Sequence, residues 1–205
     1  MLLSQPQALK LLRKYSIKYP KTVILSKAIQ ILKYPVVLKV DSPKVLHKTD
    51  AGLVFTGLKS KAEVRKKVKE AETILKKLKV KDYNFVLQET AKGVEVIVGM
   101  KRDPSFGPVI MFGLGGVLVE VVKDVSMRIA PLKRKDCFEM INEVQGKKLL
   151  EGYRGMPKVN KEKLVQLLMK VSKLAMKEDL AEIDLNPVMV NEKSAVVVDA
   201  RMIHA

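Results

Sequence analysis

The chain is expected to fold as an α+β protein built from two lobes. Short β-branched runs alternate with amphipathic segments of helical period along the whole length. Its 205 residues are 47% hydrophobic and 30% charged, enough to bury a sizeable core and unlike a disordered chain. Both halves, divided near residues 89–93, carry strands and a helix of their own. One lobe is therefore expected at 1–90 and the other at 91–205, with a cleft between them.

The elements follow in order. Residues 5–15 read as a short amphipathic helix. Val36 to Val40 is a β-branched run set off by Tyr34-Pro35 and reads as a buried strand; Asp41 to Gly52, with its Pro, Asp and Gly, reads as a loop. Ser60 with Glu63 three residues on is a capping box, and Val64, Val68, Ala71, Leu75 and Leu78 form one stripe, so Ser60 to Lys79 is the clearest helix. Phe85 to Glu89 and Val94 to Met100 read as strands joined by a turn near Lys92-Gly93. Val109 to Phe112, a glycine turn at Gly113 to Gly116, and Val117 to Val122 come next. Helices are expected at Lys135 to Val144 and at Lys161 to Met176, the second with Leu164, Leu167, Leu168, Val171 and Leu174 on one face. Ile183 to Val190 and Ala195 to Ala200 flank Asn191-Glu192-Lys193 and read as a hairpin.

Composition removes several functional classes. Lys and Arg total 39 against 22 Asp and Glu, a net charge of +17 that favours anionic partners without naming one. One cysteine, Cys137, excludes an internal disulfide and a cysteine metal cluster, and two histidines, His47 and His204, make a histidine metal site improbable. No apolar run approaches the ~20 residues of a membrane helix, and the N-terminus lacks the pattern of a secretion signal. A cytoplasmic protein is expected, with neither a membrane nor a nucleic acid as its partner.

Four constellations bear chemistry. Asp184 and Asn186 lie two apart on a strand and project together; a hairpin brings Asp199 beside them. Two carboxylates and an amide oxygen suit Mg²⁺ shared with phosphates, although a plain turn before Pro187 uses the same residues. Gly113, Gly115 and Gly116 allow a close backbone approach to phosphate, or make a tight turn; the endings of a Walker loop and the Rossmann spacing are both missing. Lys39, inside an apolar run, either meets an anion or faces the surface. His47 sits in a basic, glycine-containing loop as a base, ligand or nucleophile, or as an ordinary loop histidine.

These features occur together in a recognisable order. Ser42 to Gly52 (SPKVLHKTDAG), Lys101 to Gly116, Val119 to Leu132, Gly152 to Gly155 (GYRG) and Glu182 to Pro187 (EIDLNP) resemble the β subunit of ADP-forming acetyl-CoA synthetases. That is the ATP-grasp part of the nucleoside-diphosphate-forming acyl-CoA synthetases, and the likeness runs from about Gln5 to Ile203. It implies an ATP-grasp fold with ATP or ADP and Mg²⁺ held between the lobes. It also implies a reversible reaction: acyl-CoA, ADP and phosphate exchanging with carboxylate, CoA and ATP. A CoA-binding α subunit would complete the enzyme as an α2β2 assembly.

By the same resemblance His47 matches the histidine that relays phosphate to ADP. Lys39, Glu89, Glu95, Gly113, Gly115, Gly116 and Arg128 match nucleotide-site positions, with Glu89 at the hinge. Asp184, Asn186 and Asp199 match the Mg²⁺ ligands. The loop Ser42 to Val54 is expected to move so that His47 meets both donor and acceptor. Thr49 and Leu53 stand where the family has Ser and Gly, and Ile17 to Tyr34 is shorter than usual. The competing readings are a basic nucleic-acid-binding protein and a β-like scaffold subunit without catalysis; 5% aromatics and no recognisable nucleic-acid motif speak against the first.

Overall fold

The computed structural model describes residues 1–25, 32–42, 44–45, 51–116, 123–153 and 158–205. These form two compact units, one of Met1–Tyr19 with Ala91–Ala205 and the other Pro20–Thr90.

The smaller unit is a four-stranded antiparallel sheet of β1 (Thr22–Ile24), β2 (Val36–Asp41), β3 (Val54–Leu58) and β4 (Asn84–Glu89), ordered β1-β4-β2-β3. Helix α2 (Lys61–Lys77) covers one face of it; α1 (Gln5–Lys14) belongs to the other unit. Ser60 caps α2 by accepting the N–H of Glu63 at 3.2 Å. The reciprocal bond differs from a standard capping box: the Glu63 carboxylate takes the N–H of Lys59 at 2.9 Å. Val64, Ala71 and Leu75 are buried and Val68 packs against the cluster around Val64, while Leu78, one residue past the helix, is 51% exposed. Val36, Leu38 and Val40 of β2 face the helix side, because strand residues two apart share a face.

The larger unit is a six-stranded antiparallel sheet. Its strands are β5 (Val94–Asp103), β6 (Gly107–Leu114), β7 (Val125–Ile129), β8 (Leu180–Val190), β9 (Ala195–Val197) and β10 (Arg201–His204). The order is β10-β8-β5-β6-β7, with β9 paired to β8. Helices α1 (Gln5–Lys14), α3 (Arg134–Glu143) and α4 (Lys161–Lys177) and a 3₁₀ helix at Gln145–Glu151 accompany it. One core unites these helices with a single face of the sheet. Val94, Val96, Val98 and Met100, Ile110, Phe112 and Leu114, and Ile183, Leu185, Val188 and Val190 meet Leu164, Leu168 and Val171 there. The stripe expected on Lys161 to Met176 is buried throughout.

Residues 1–19 depart from the expected lobe boundary. Ala8 and Leu12 of α1 are buried in the larger core, and Leu3 donates its N–H to the Met202 carbonyl at 2.9 Å, so the N-terminus packs with 91–205. Strands β1, β3, β7 and β10 and the 3₁₀ helix are not among the expected elements. The expected turn at Gly113 begins later, since β6 runs on through Leu114. The expected strand Val117 to Val122 lies outside the described residues. No described helix is long and apolar enough to cross a membrane.

Candidate functional site

In the larger unit the helices take one face of the sheet, and most of the polar residues singled out by sequence leave from the other. Residues directly opposite in an antiparallel pair share a face. On β8, Ile183 and Leu185 point into the core, so Asp184 and Asn186 point away from it. The ladder between β5 and β8 shifts register between Val96 and Val98, with Val96 opposite Val188 and Val98 opposite Leu185. That bulge lies at Asn186-Pro187 and gives β8 an extra residue on the open side.

Backbone bonds bring the third residue alongside. The N–H of Asn186 donates to the Asp199 carbonyl at 3.2 Å, and that of Val198 donates to the Pro187 carbonyl at 2.9 Å. The expected proximity of Asp184, Asn186 and Asp199 is therefore present, created by β9 and β10 pairing with β8 on either side of Asp199. Burial, followed by the negative charge of Glu182, raises the Asp184 carboxyl above its ordinary value; Arg201 works against this and Asp199 adds to it. Crowded, partly desolvated carboxylates gain from a cation.

Among the described residues no three His, Cys, Asp or Glu gather as a metal cage. Two carboxylates and an amide suit a hard ion that completes its shell with water and phosphate, so this donor set fits Mg²⁺ bound with a nucleotide and not alone.

Glu95 is exposed on β5, opposite Met189 of β8 and on the same open face. Its carbonyl accepts the N–H of Gly115 at 2.8 Å. A Cβ at Gly115 would lie 2.9 Å from the Glu95 Cβ and 3.1 Å from its carbonyl carbon, so glycine is required for that approach. Gly116 follows at φ +71°, a left-handed conformation that glycine adopts freely. Gly113 sits inside β6 opposite Ile97 and Val125. Glu95 and the glycine run thus share one end of the sheet.

Arg128 is elsewhere. It pairs with Ile110, a core residue, so it faces the helices. Its guanidinium bonds Glu143 of α3, 3.0 Å from Nη1 to the carboxylate, and Ser126 donates to the same carboxylate at 2.6 Å. Asp124 is buried, and its two carboxylate oxygens accept the N–H groups of Gln145 and Gly146 at 2.8 Å each, capping the 3₁₀ helix. The described part of the motif Val119 to Leu132 therefore anchors α3 and the 3₁₀ helix.

In the smaller unit Lys39 is 6% exposed on the central strand β2. Leu38 faces α2, so Lys39 leaves from the opposite face, across from Val54 and Val86. Glu89 closes β4: its N–H donates to the Lys21 carbonyl at 3.0 Å and its carboxylate accepts the N–H of Lys33 at 3.3 Å. His47 and Thr49 lie outside the described residues. Leu53, at the end of their loop, is fully buried, and its carbonyl accepts the N–H of Val40 at 3.2 Å. Leu53 thereby ties the start of β3 to β2.

The ATP-grasp domain profile matches residues 1–203. The acetate–CoA ligase (ADP-forming) I subunit beta of Pyrococcus furiosus is 40% identical over 98% of this chain and 91% of its own length. Acetate–CoA ligase (ADP-forming) II of Archaeoglobus fulgidus is 44% identical over 99% of this chain, which spans only 30% of that longer protein. The solved acetyl-coenzyme A synthetase 1 of Ca. Korarchaeum cryptofilum, in complex with coenzyme A and Ca-AMPCP, superposes at a TM-score of 0.93. It is 39% identical and covers 100% of this chain and 93% of that one. A second structure of it, with Mg-AMPPCP, has its phosphohistidine segment pointing towards the nucleotide binding site.

Proposed function

This chain belongs to the ATP-grasp family, in the branch that includes β subunits of ADP-forming acetate–CoA ligases, and we propose that it is the nucleotide-binding subunit of such a ligase. The reaction is the reversible exchange of acyl-CoA, ADP and phosphate for carboxylate, CoA and ATP. The observation that carries this reading is the backbone-tied group of Asp184, Asn186 and Asp199 on the open face of the larger sheet.

Asp184, Asn186 and Asp199 hold Mg²⁺, which supplies charge neutralisation on the phosphates when bound. The chain's own residues do the positioning. Gly115 and Gly116 let the backbone approach the phosphates beside Glu95, and Lys39 supplies a fixed positive charge to them. Glu89 serves the adenosine end. His47 accepts a phosphoryl group on an imidazole nitrogen from a partner-borne phosphohistidine and passes it to the terminal oxygen of ADP, regenerating neutral imidazole. Arg128 acts indirectly, by holding α3 through Glu143.

Activity requires a CoA-binding α subunit, which we place with this chain in a cytoplasmic α2β2 assembly. The support is that the A. fulgidus relative carries the matching region as 30% of a longer chain, whereas the P. furiosus relative is named as a separate β subunit.

Titration calorimetry tests the reading. The purified chain binds Mg-ADP and forms no acyl-CoA by itself. Asp184→Asn and Asp199→Asn each raise the Mg²⁺ concentration needed for half-maximal ADP binding by at least about tenfold, as for loss of one charged ligand. Robust CoA ligation by the chain alone, or metal-independent ADP binding, would sink it.

A further inference from the structure

Arg201 opens β10 and pairs directly opposite Asp184 of β8. The next residue, Met202, is buried in the core, so Arg201 leaves from the open face beside Asp184. Of the side chains whose charges act on Asp184, Glu182 and Asp199 are negative and Arg201 is positive.

The guanidinium of Arg201 differs from its counterparts in the same unit. Arg102 uses Nε on the Leu180 carbonyl at 2.9 Å and Nη2 on the carbonyls of Ala175 and Glu178 at 3.0 and 3.2 Å. Arg128 is likewise spent on Glu143. The Nε of Arg201 is shut off from solvent and, among the described residues, has no hydrogen-bond acceptor. A buried, charged donor without an acceptor costs the desolvation of that N–H, and native structures retain few of them. An acceptor suited to this place offers an oxygen lone pair, carries a negative charge to match the guanidinium, and sits beside Asp184 and Asp199. A nucleotide phosphate meets all three conditions, since guanidinium N–H groups match phosphate oxygens in geometry and charge.

We propose that Arg201 is a phosphate-binding residue of the nucleotide site, its guanidinium turning outward to donate to a phosphate oxygen of ADP or ATP. This rests on the nucleotide reading above. It adds a cation from the same hairpin that supplies the metal ligands, so metal and phosphate are gripped by one rigid element. The residue was not apparent from sequence because an arginine after Asp-Ala near a chain end carries no spacing signal.

The test compares ADP with adenosine, each in the presence of Mg²⁺, on the wild-type chain and on Arg201→Gln and Arg201→Lys. ADP is titrated by calorimetry and adenosine by ligand-observed NMR. Loss of a charge-assisted bond predicts Mg-ADP binding about 10- to 100-fold weaker in Arg201→Gln. Arg201→Lys, which keeps the charge but not the guanidinium geometry, falls between that variant and wild type. Adenosine affinity stays at the wild-type value in both variants, which also reports that they are folded. Equal weakening of ADP and adenosine overturns the assignment, because it would mark a structural role. So does ADP affinity unchanged in Arg201→Gln while wild type binds. If the wild-type chain binds no Mg-ADP, the nucleotide reading itself fails and Arg201 with it.

Discussion

Asp124 offers a sharp test of how the motif around it works. The residue is 7% exposed, and its carboxylate caps the 3₁₀ helix Gln145–Glu151 through two backbone bonds of 2.8 Å. Asp124→Ala removes both acceptors and leaves the Gln145 and Gly146 N–H groups without their carboxylate partner. At roughly 1.5 kcal/mol for each charge-assisted bond, the expected loss is about 3 kcal/mol. For a chain of this size that corresponds to a fall in Tm of about 6–12 °C. Asp124→Asn keeps one acceptor but turns an amide N–H toward the second donor, so it loses at least half as much. Thermal and urea unfolding followed by circular dichroism measure both variants. Hydrogen exchange at the Gln145 and Gly146 amides locates the effect and should speed up in each. If both variants unfold within about 0.5 kcal/mol of wild type, a typical surface-mutation effect, Asp124 does not hold this helix and the reasoning fails.

Two further outcomes are expected. Gly115→Ala places a Cβ 2.9 Å from that of Glu95 and breaks the 2.8 Å bond to its carbonyl; it should destabilise by about 1–3 kcal/mol and weaken Mg-ADP binding, read by unfolding and calorimetry. Glu143 is held below the usual carboxylate value, first by its bond from Arg128 and then by Ser126. Its stabilisation is therefore full above the ordinary glutamate range and fades as pH falls through its lowered value. The difference in Tm between wild type and Glu143→Gln should shrink on acidification from roughly pH 6 to 3; a constant difference would contradict the pairing.

Long periodic segments were legible in the sequence because burial alone determines them. The leucine stripe of α4 and the Ser60–Glu63 cap are read from spacing, and both are present. The edge strand β1 is only three residues long, and β3 carries Gly57, so neither shows a clear period-two pattern. In β7 the alternation is inverted: Met127 and Ile129 are exposed while polar Ser126 and Arg128 face the helices, satisfied by Glu143. A polar residue in a strand reads as one for solvent or ligand, and only the tertiary partner shows otherwise. The Asp184–Asn186 pair was legible from the two-residue period, but the bulge at Pro187 that brings Asp199 alongside depends on pairing across the sheet. Much of the +17 charge sits on exposed positions such as Lys66, Lys69, Lys76 and Lys77 of α2, where solvation suffices.

The central claim, that this chain passes phosphate to ADP as half of a ligase, is tested most directly by reconstitution. The chain is combined with a CoA-binding α subunit and supplied with acetyl-CoA, Mg-ADP and labelled phosphate. Labelled ATP should form with the wild-type pair, with neither subunit alone, and not with His47→Ala, although that variant still binds Mg-ADP in calorimetry. Undiminished labelled ATP from the His47→Ala pair, or ATP made by this chain without a partner, would contradict the account.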